Sequence, residues 1–197
     1  MTKPKILHFL GNLLIFIAAV ILVLTFTPVF EQEAKYQIKH TFNSPYKEKD
    51  LTPPNTDFAI VIPKIGAVAP VIANTDPLDP KKYMPVLYKG VAHAKGTAFP
   101  GEFGNTYIFA HSTDTFYNVG RYNAVFYLIG KLEKGDEIDI YYKGEKIVYE
   151  VVEKKVVGAD AVKYLGKLGE WNTLTLQTCY PPGTTLKRLV VVANEKI

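Results

Sequence analysis

Residues 6–30, "ILHFLGNLLIFIAAVILVLTFTPVF", run for 25 positions without an Asp, Glu, Lys or Arg. A helix rising about 1.5 Å per residue over such a run reaches across a bilayer core of about 30 Å. The apolar part of a cleaved signal peptide is shorter, about 7–15 residues, and ends at a small-residue cleavage site. Here Ala18 and Ala19 fall in the middle of the run. The expectation is an uncleaved single-span membrane anchor over 6–30. Lys3 and Lys5 precede the run, and Glu31 and Glu33 follow it before Lys35. The positive-inside bias therefore puts 1–5 in the cytoplasm and the remaining chain outside the cell membrane.

An external domain constrains the meaning of its cysteine. Cys179 is the only one, so no internal disulfide forms, and a free thiol in an oxidising compartment needs another reason to be there. The net charge is +4, and lysines alternate with acids, as in "KLEKGDEIDIYYKGEK". That pattern is ordinary solvated surface. Nucleic-acid binding requires basic residues gathered on one face, so no nucleic-acid partner is expected.

After the apolar run, residues 31–57 are polar and broken by Pro45, Pro53 and Pro54, which reads as an extracellular stalk. From Phe58 onward, short runs rich in Val, Ile and Tyr alternate with Gly, Pro, Asn and Asp, the pattern of a mainly β barrel or sandwich. Strands are predicted over 58–65, 67–73, 106–110, 137–142, 146–157, 173–179 and 189–193, with a hairpin turn centred on Lys143 and Gly144. Residues 77–90 and 121–132 fit short helices or irregular connections. The domain assigned to this pattern is 58–197.

Alternation along "TLTLQTC" places Thr173, Thr175, Gln177 and Cys179 on one face and Leu174, Leu176 and Thr178 on the other. The Pro- and Gly-containing loop that follows returns through Arg188. If the two runs pair as an antiparallel hairpin, Cys179 and Arg188 meet at one end of the sheet. His111 closes the run "GNTYIFAHS", where Asn105, Tyr107 and Phe109 share its face. A thiol nucleophile, a histidine acid/base and an arginine able to donate to an oxyanion are the parts that acyl transfer requires. Only the thiolate attacks, and a free cysteine has a pKa near 8.5, so the thiol needs such help.

"TLQTC", with Arg188 nine residues after its cysteine, resembles the T-L-x-T-C…R signature of sortases, the membrane-anchored cysteine transpeptidases of bacterial surfaces. "GVAHAKGTAFPGEFGNTYIFAHS", residues 90–112, is similar to the stretch leading into that family's catalytic histidine. The resemblance covers about 58–193. It implies an eight-stranded sortase-type β-barrel with Cys179 as nucleophile, His111 as general acid/base and Arg188 as the substrate-positioning and oxyanion-stabilising residue. It also implies substrates: surface proteins with a C-terminal LPxTG-like sorting signal, passed to an amine acceptor such as a peptidoglycan precursor or a pilin lysine. Substrate contacts are expected from Thr178 within the motif, from His93 at the site edge, and from Val162, Tyr164 and Leu165 in the connection 158–172. The Asp-Pro-aromatic lid of pilus-polymerising members is not evident, since "NSPY" lacks the Asp, and the subclass stays open. No metal or other cofactor is expected, because the 158–172 connection offers only Asp160 and Glu170 and the chain has no CxxC or HExxH pattern.

Two other classes compete with this reading. A papain-like hydrolase sets its cysteine at a helix start with the histidine far downstream, whereas here His111 precedes Cys179 and the cysteine ends a strand. A non-enzymatic, membrane-tethered β-barrel that binds partners at the cell surface is the remaining alternative.

Overall fold

The computed structural model describes residues 8–21, 23, 51–112, 125–166 and 171–196. Two compact units divide the chain, Met1–Ser44 and Pro45–Ile197. In the first, residues 8–21 form a helix, α1, that exposes Leu14, Ile15 and Phe16 among other large apolar side chains. Among the described residues no helix is long and apolar enough to cross a membrane. Residues 6, 7, 22 and 24–30 of the expected span lie outside the described residues, as do 31–50 of the expected stalk.

The second unit is a closed barrel. Its strands are β1 (Phe58–Ile62), β2 (Ala67–Thr75), β3 (Val91–Ala94), β4 (Asn105–Phe109), β5 (Glu137–Tyr142), β6 (Glu145–Gly158), β7 (Thr173–Tyr180) and β8 (Lys187–Glu195). They close in the order β1-β2-β3-β4-β7-β8-β6-β5. The eight-stranded, mainly β architecture with few helices is the expected one. Residues 55–57 already belong to its rim: Asn55 Oδ1 accepts from Phe58 N at 2.9 Å, and the carbonyls of Thr56 and Asp57 accept from Gly144 and Lys143.

Local sequence explains most boundaries. β1 stops three residues before the expected limit because Pro63 has no N–H for the ladder; Pro63–Ile65 instead form a 3-10 turn closed by left-handed Gly66. Lys143 and Gly144, with φ of 52° and 86°, make the tight β5–β6 turn that the "KG" pair predicts. A parallel neighbour requires a crossover. β2 and β3 are parallel, and helix α2 (Pro80–Leu87), capped by Asp79 accepting from Lys81 N, supplies that crossover. β4 and β7 are also parallel, joined through the β5–β6 hairpin.

Leu174 and Leu176 of β7, Ile108 of β4 and Val191 of β8 are fully buried on one side of the sheet, each contributing about 1.5–3 kcal/mol. The opposite side of the same strands is covered as well. Ala92 and Ala94 of β3, Tyr107 and Phe109 of β4, and Val190 and Val192 of β8 pack with Leu87 of α2 and Tyr164 of a 3-10 turn, Val162–Leu165. This second apolar layer forms one wall of the site.

Candidate active site

Three neighbouring strands, β4, β7 and β8, bring the three expected groups to one end of the barrel. Cys179 lies directly opposite Arg188 in the antiparallel β7–β8 ladder, so their side chains project from the same face. β4 and β7 run parallel with Phe109 beside Gln177. His111 follows Phe109 by two positions, and Cys179 follows Gln177 by two. The half-buried cysteine is thus flanked by histidine on one side and arginine on the other.

Hydrogen bonds hold this register past the end of β4. Ala110 N donates to Gln177 O at 3.1 Å, and Thr178 Oγ1 donates to Ala110 O at 3.1 Å. Ser112 Oγ accepts from Gly183 N at 3.4 Å, tying the residue after His111 to the β7–β8 loop. The His111 ring lies 6.5 Å from that of Tyr88, just past α2. The Arg188 guanidinium is anchored to the same loop, with Nη1 donating to the carbonyls of Thr185 at 3.0 Å and Lys187 at 3.1 Å.

One step further along β7 from the thiol, Tyr107 OH donates to Gln177 Oε1 at 2.7 Å. Burial pushes the Tyr107 phenol well above its ordinary pKa, and the nearby Arg188 charge opposes that rise. Beyond it, Asn105 Oδ1 accepts from Thr173 and Thr175, while its Nδ2 donates to Tyr164 O at 2.6 Å. This buried network fastens the Val162–Leu165 turn to the floor. Tyr107 and Asn105 were visible in the alternation of "NTYIFAH" as sharing the His111 face, but nothing in the sequence indicates their partners.

The expected substrate contacts divide. Tyr164 and Leu165 pack against the apolar layer on the Cys179 side, whereas Val162 in the same turn is 62% exposed. Residues 167–170 of that connection lie outside the described residues. Thr178 is 2% exposed and projects from the face opposite Cys179, so its hydroxyl meets Ala110 O in place of substrate. His93, expected in a Gly-rich connection at the site edge, is instead a β3 residue paired with Ile108 and fully buried. Its ring stacks on Phe99 at 4.7 Å on the side of the sheet away from the thiol.

A family model described as the sortase domain matches residues 60–196, a stretch that includes the whole three-strand arrangement. The chain belongs to the sortase family. Among similar proteins, Sortase D of Bacillus subtilis (strain 168) is 32% identical over 133 residues, which cover 66% of this sortase and 59% of that relative. This sortase therefore matches only about three fifths of the relative's length. The structure of sortase A from Corynebacterium diphtheriae superposes with a TM-score of 0.59 at 29% identity, covering 72% of this chain and 60% of that one. Sortase C1 from Streptococcus suis gives 0.58 at 28% identity, covering 71% and 72%. Sortases named A, C1 and D are all similar to it, so the likeness assigns the family without selecting a subclass.

Proposed function

We propose that this sortase is a cysteine transpeptidase that cleaves an LPxTG-like sorting signal and transfers the released acyl group to an amine. The observation that carries the reading is Cys179 on β7, set between His111 just past the end of β4 and Arg188 on β8. In the first step the Cys179 thiolate attacks the carbonyl of the Thr–Gly bond. The S–C bond forms, the C–N bond breaks, and His111 gives its proton to the departing amine. In the second step an amine, from a peptidoglycan precursor or a pilin lysine, attacks the thioester carbonyl: the N–C bond forms, the C–S bond breaks, the amine's proton passes to His111, and the Cys179 thiolate is restored.

Arg188 donates to the substrate carbonyl and to the oxyanion that develops from it. A guanidinium has five N–H donors, more than the two bonds to Thr185 and Lys187 require, and those bonds hold its plane in place. The substrates are surface proteins bearing C-terminal sorting signals. Residues 6–30 anchor the enzyme in the cell membrane with the barrel outside; their 25-residue run without charge supports this placement.

Mass spectrometry of the protein incubated with a library of LPxTG-like pentapeptides tests the reading. A thioacyl adduct on Cys179 that an added amine releases is the expected result. No adduct with any peptide, together with intact binding of wall fragments, would instead identify a tethered binding module.

A further inference from the structure

Along the Cys179 face of β7, the hydroxyls of Thr173 and Thr175 are spent internally, both donating to Asn105 Oδ1. Gln177 differs. Its Oε1 is held by Tyr107 OH at 2.7 Å, and this bond turns the amide nitrogen away from Tyr107. Among the described residues none accepts from Nε2. The side chain is half-buried, flanked by Phe109 on β4 and Val190 on β8. Between the thiol and the Asn105 network, this face thus presents one oriented pair of N–H donors. A polar side chain fixed in this way serves a ligand better than a mobile one, because the ordering cost is met before binding.

Resting on the transpeptidase reading above, we infer that Gln177 is a substrate-binding residue and Tyr107 its positioning residue. Gln177 Nε2 donates to a carbonyl oxygen of the peptide on the acyl side of the scissile bond. Spacing supports the assignment. Gln177 and Cys179 are two residues apart on one strand face, about 7 Å at the rise of a β-strand. Two residues of an extended peptide cover the same distance. With its scissile carbonyl at the thiol, an extended peptide running alongside β7 therefore brings the carbonyl two residues upstream over Gln177.

The test pairs enzyme variants with a substrate variant. Gln177→Leu removes the donors at similar volume, and Tyr107→Phe removes only the hydroxyl that orients them. A matched peptide carries a thioamide, a weaker acceptor of nearly the same shape, at the carbonyl two residues upstream of the cut. Iodoacetamide alkylation of Cys179 reports on the fold and the thiol independently of peptide. Gln177→Leu is expected to lower kcat/KM for the normal peptide about tenfold, the scale of one hydrogen bond. It should leave alkylation unchanged and handle the thioamide peptide and the normal one alike, whereas the wild type prefers the normal one. Tyr107→Phe should lose part of that preference. Unchanged kcat/KM in Gln177→Leu, or a thioamide effect as large in the variant as in the wild type, would overturn the inference while leaving the nucleophile assignment standing. A wild-type protein that alkylates normally yet forms no thioacyl adduct with any peptide would overturn both this inference and the reading beneath it.

Discussion

Thr178 Oγ1 donates to the carbonyl oxygen of Ala110 at 3.1 Å, so the residues immediately before Cys179 and His111 are bonded to each other across the β4–β7 pair. The proposed nucleophile and acid/base are thereby held in register by a bond that lies beneath the sheet, out of reach of substrate.

Replacing Thr178 with valine keeps the shape and removes this bond. Unfolding in urea should show a loss of about 1 kcal/mol, as for one hydrogen bond. Peptide cleavage should fall further than that stability loss explains, while alkylation of the thiol stays near wild type. A variant as active as the parent would show that β4 and β7 keep their register without the threonine.

Cys179→Ala should abolish cleavage and transfer with little change in melting temperature, because the side chain is only half-buried at the end of its strand. No second thiol exists to replace it. Residual turnover by the variant, measured with the same peptide, would remove Cys179 as nucleophile.

Arg188→Lys preserves charge and discards the planar fork. Acylation by peptide should slow by about two to three powers of ten, the loss seen when one oxyanion donor is removed. Alkylation by a small neutral reagent forms no tetrahedral oxyanion and should be much less affected. Equal losses in the two assays would mean that the arginine acts on the thiol alone.

His93 gives the barrel an acid limit. Asn74 N donates to its Nδ1 at 3.3 Å, so Nε2 carries the proton and faces Ala98 O at 3.0 Å. Burial, the largest cause, pushes the imidazole below its ordinary value of 6.5, against smaller upward contributions from Ala98 and Glu102. The unfolded chain therefore takes up the proton first as pH falls. Stability from this group is complete above about 6.5 and declines as pH drops toward the lower folded value, with a slope of at most about 1.4 kcal/mol per pH unit. Urea titrations between pH 7 and 5 should show that decline, and His93→Gln should flatten it even though the variant is less stable throughout. An equal slope in both proteins would assign the acid sensitivity to other groups.

Membrane fractionation checks the anchor. The full chain should sediment with membranes and retain residues 6–30, and a chain starting at residue 51, upstream of the Asn55 contact to Phe58, should be soluble and keep the activity of the barrel. A mature N-terminus mapped beyond residue 30 would make the apolar run a cleaved leader.

Strand alternation and turn chemistry carried the fold a long way, from the Lys143–Gly144 turn to the meeting of Cys179 and Arg188. β3 escaped because four residues, "VAHA", with two alanines on the layer side give almost no alternating signal, and Gly90 before it suggests a loop. That glycine has a packing reason: a Cβ there would lie 2.3 Å from Pro70 O on β2. The placement of Thr178 was legible, since parity sets it opposite Cys179, although the motif around it suggests a substrate contact. Which face of β7 bears the site was not. Leu174 and Thr175 are both fully buried, one in the barrel and one under the layer formed with α2 and the Val162–Leu165 turn, so burial alone does not distinguish inside from outside.

The strand order ties the pairing of Cys179 and Arg188 to closure of the barrel. β8, the last strand along the chain, is not an edge: it lies between β7 and β6, and its insertion closes the ring. Until it is inserted, the thiol on β7 lacks its arginine and both flanking strands carry open hydrogen-bonding edges. Cys179 and Arg188 thus become neighbours only when β7 and β8 pair, in the same arrangement that completes the barrel.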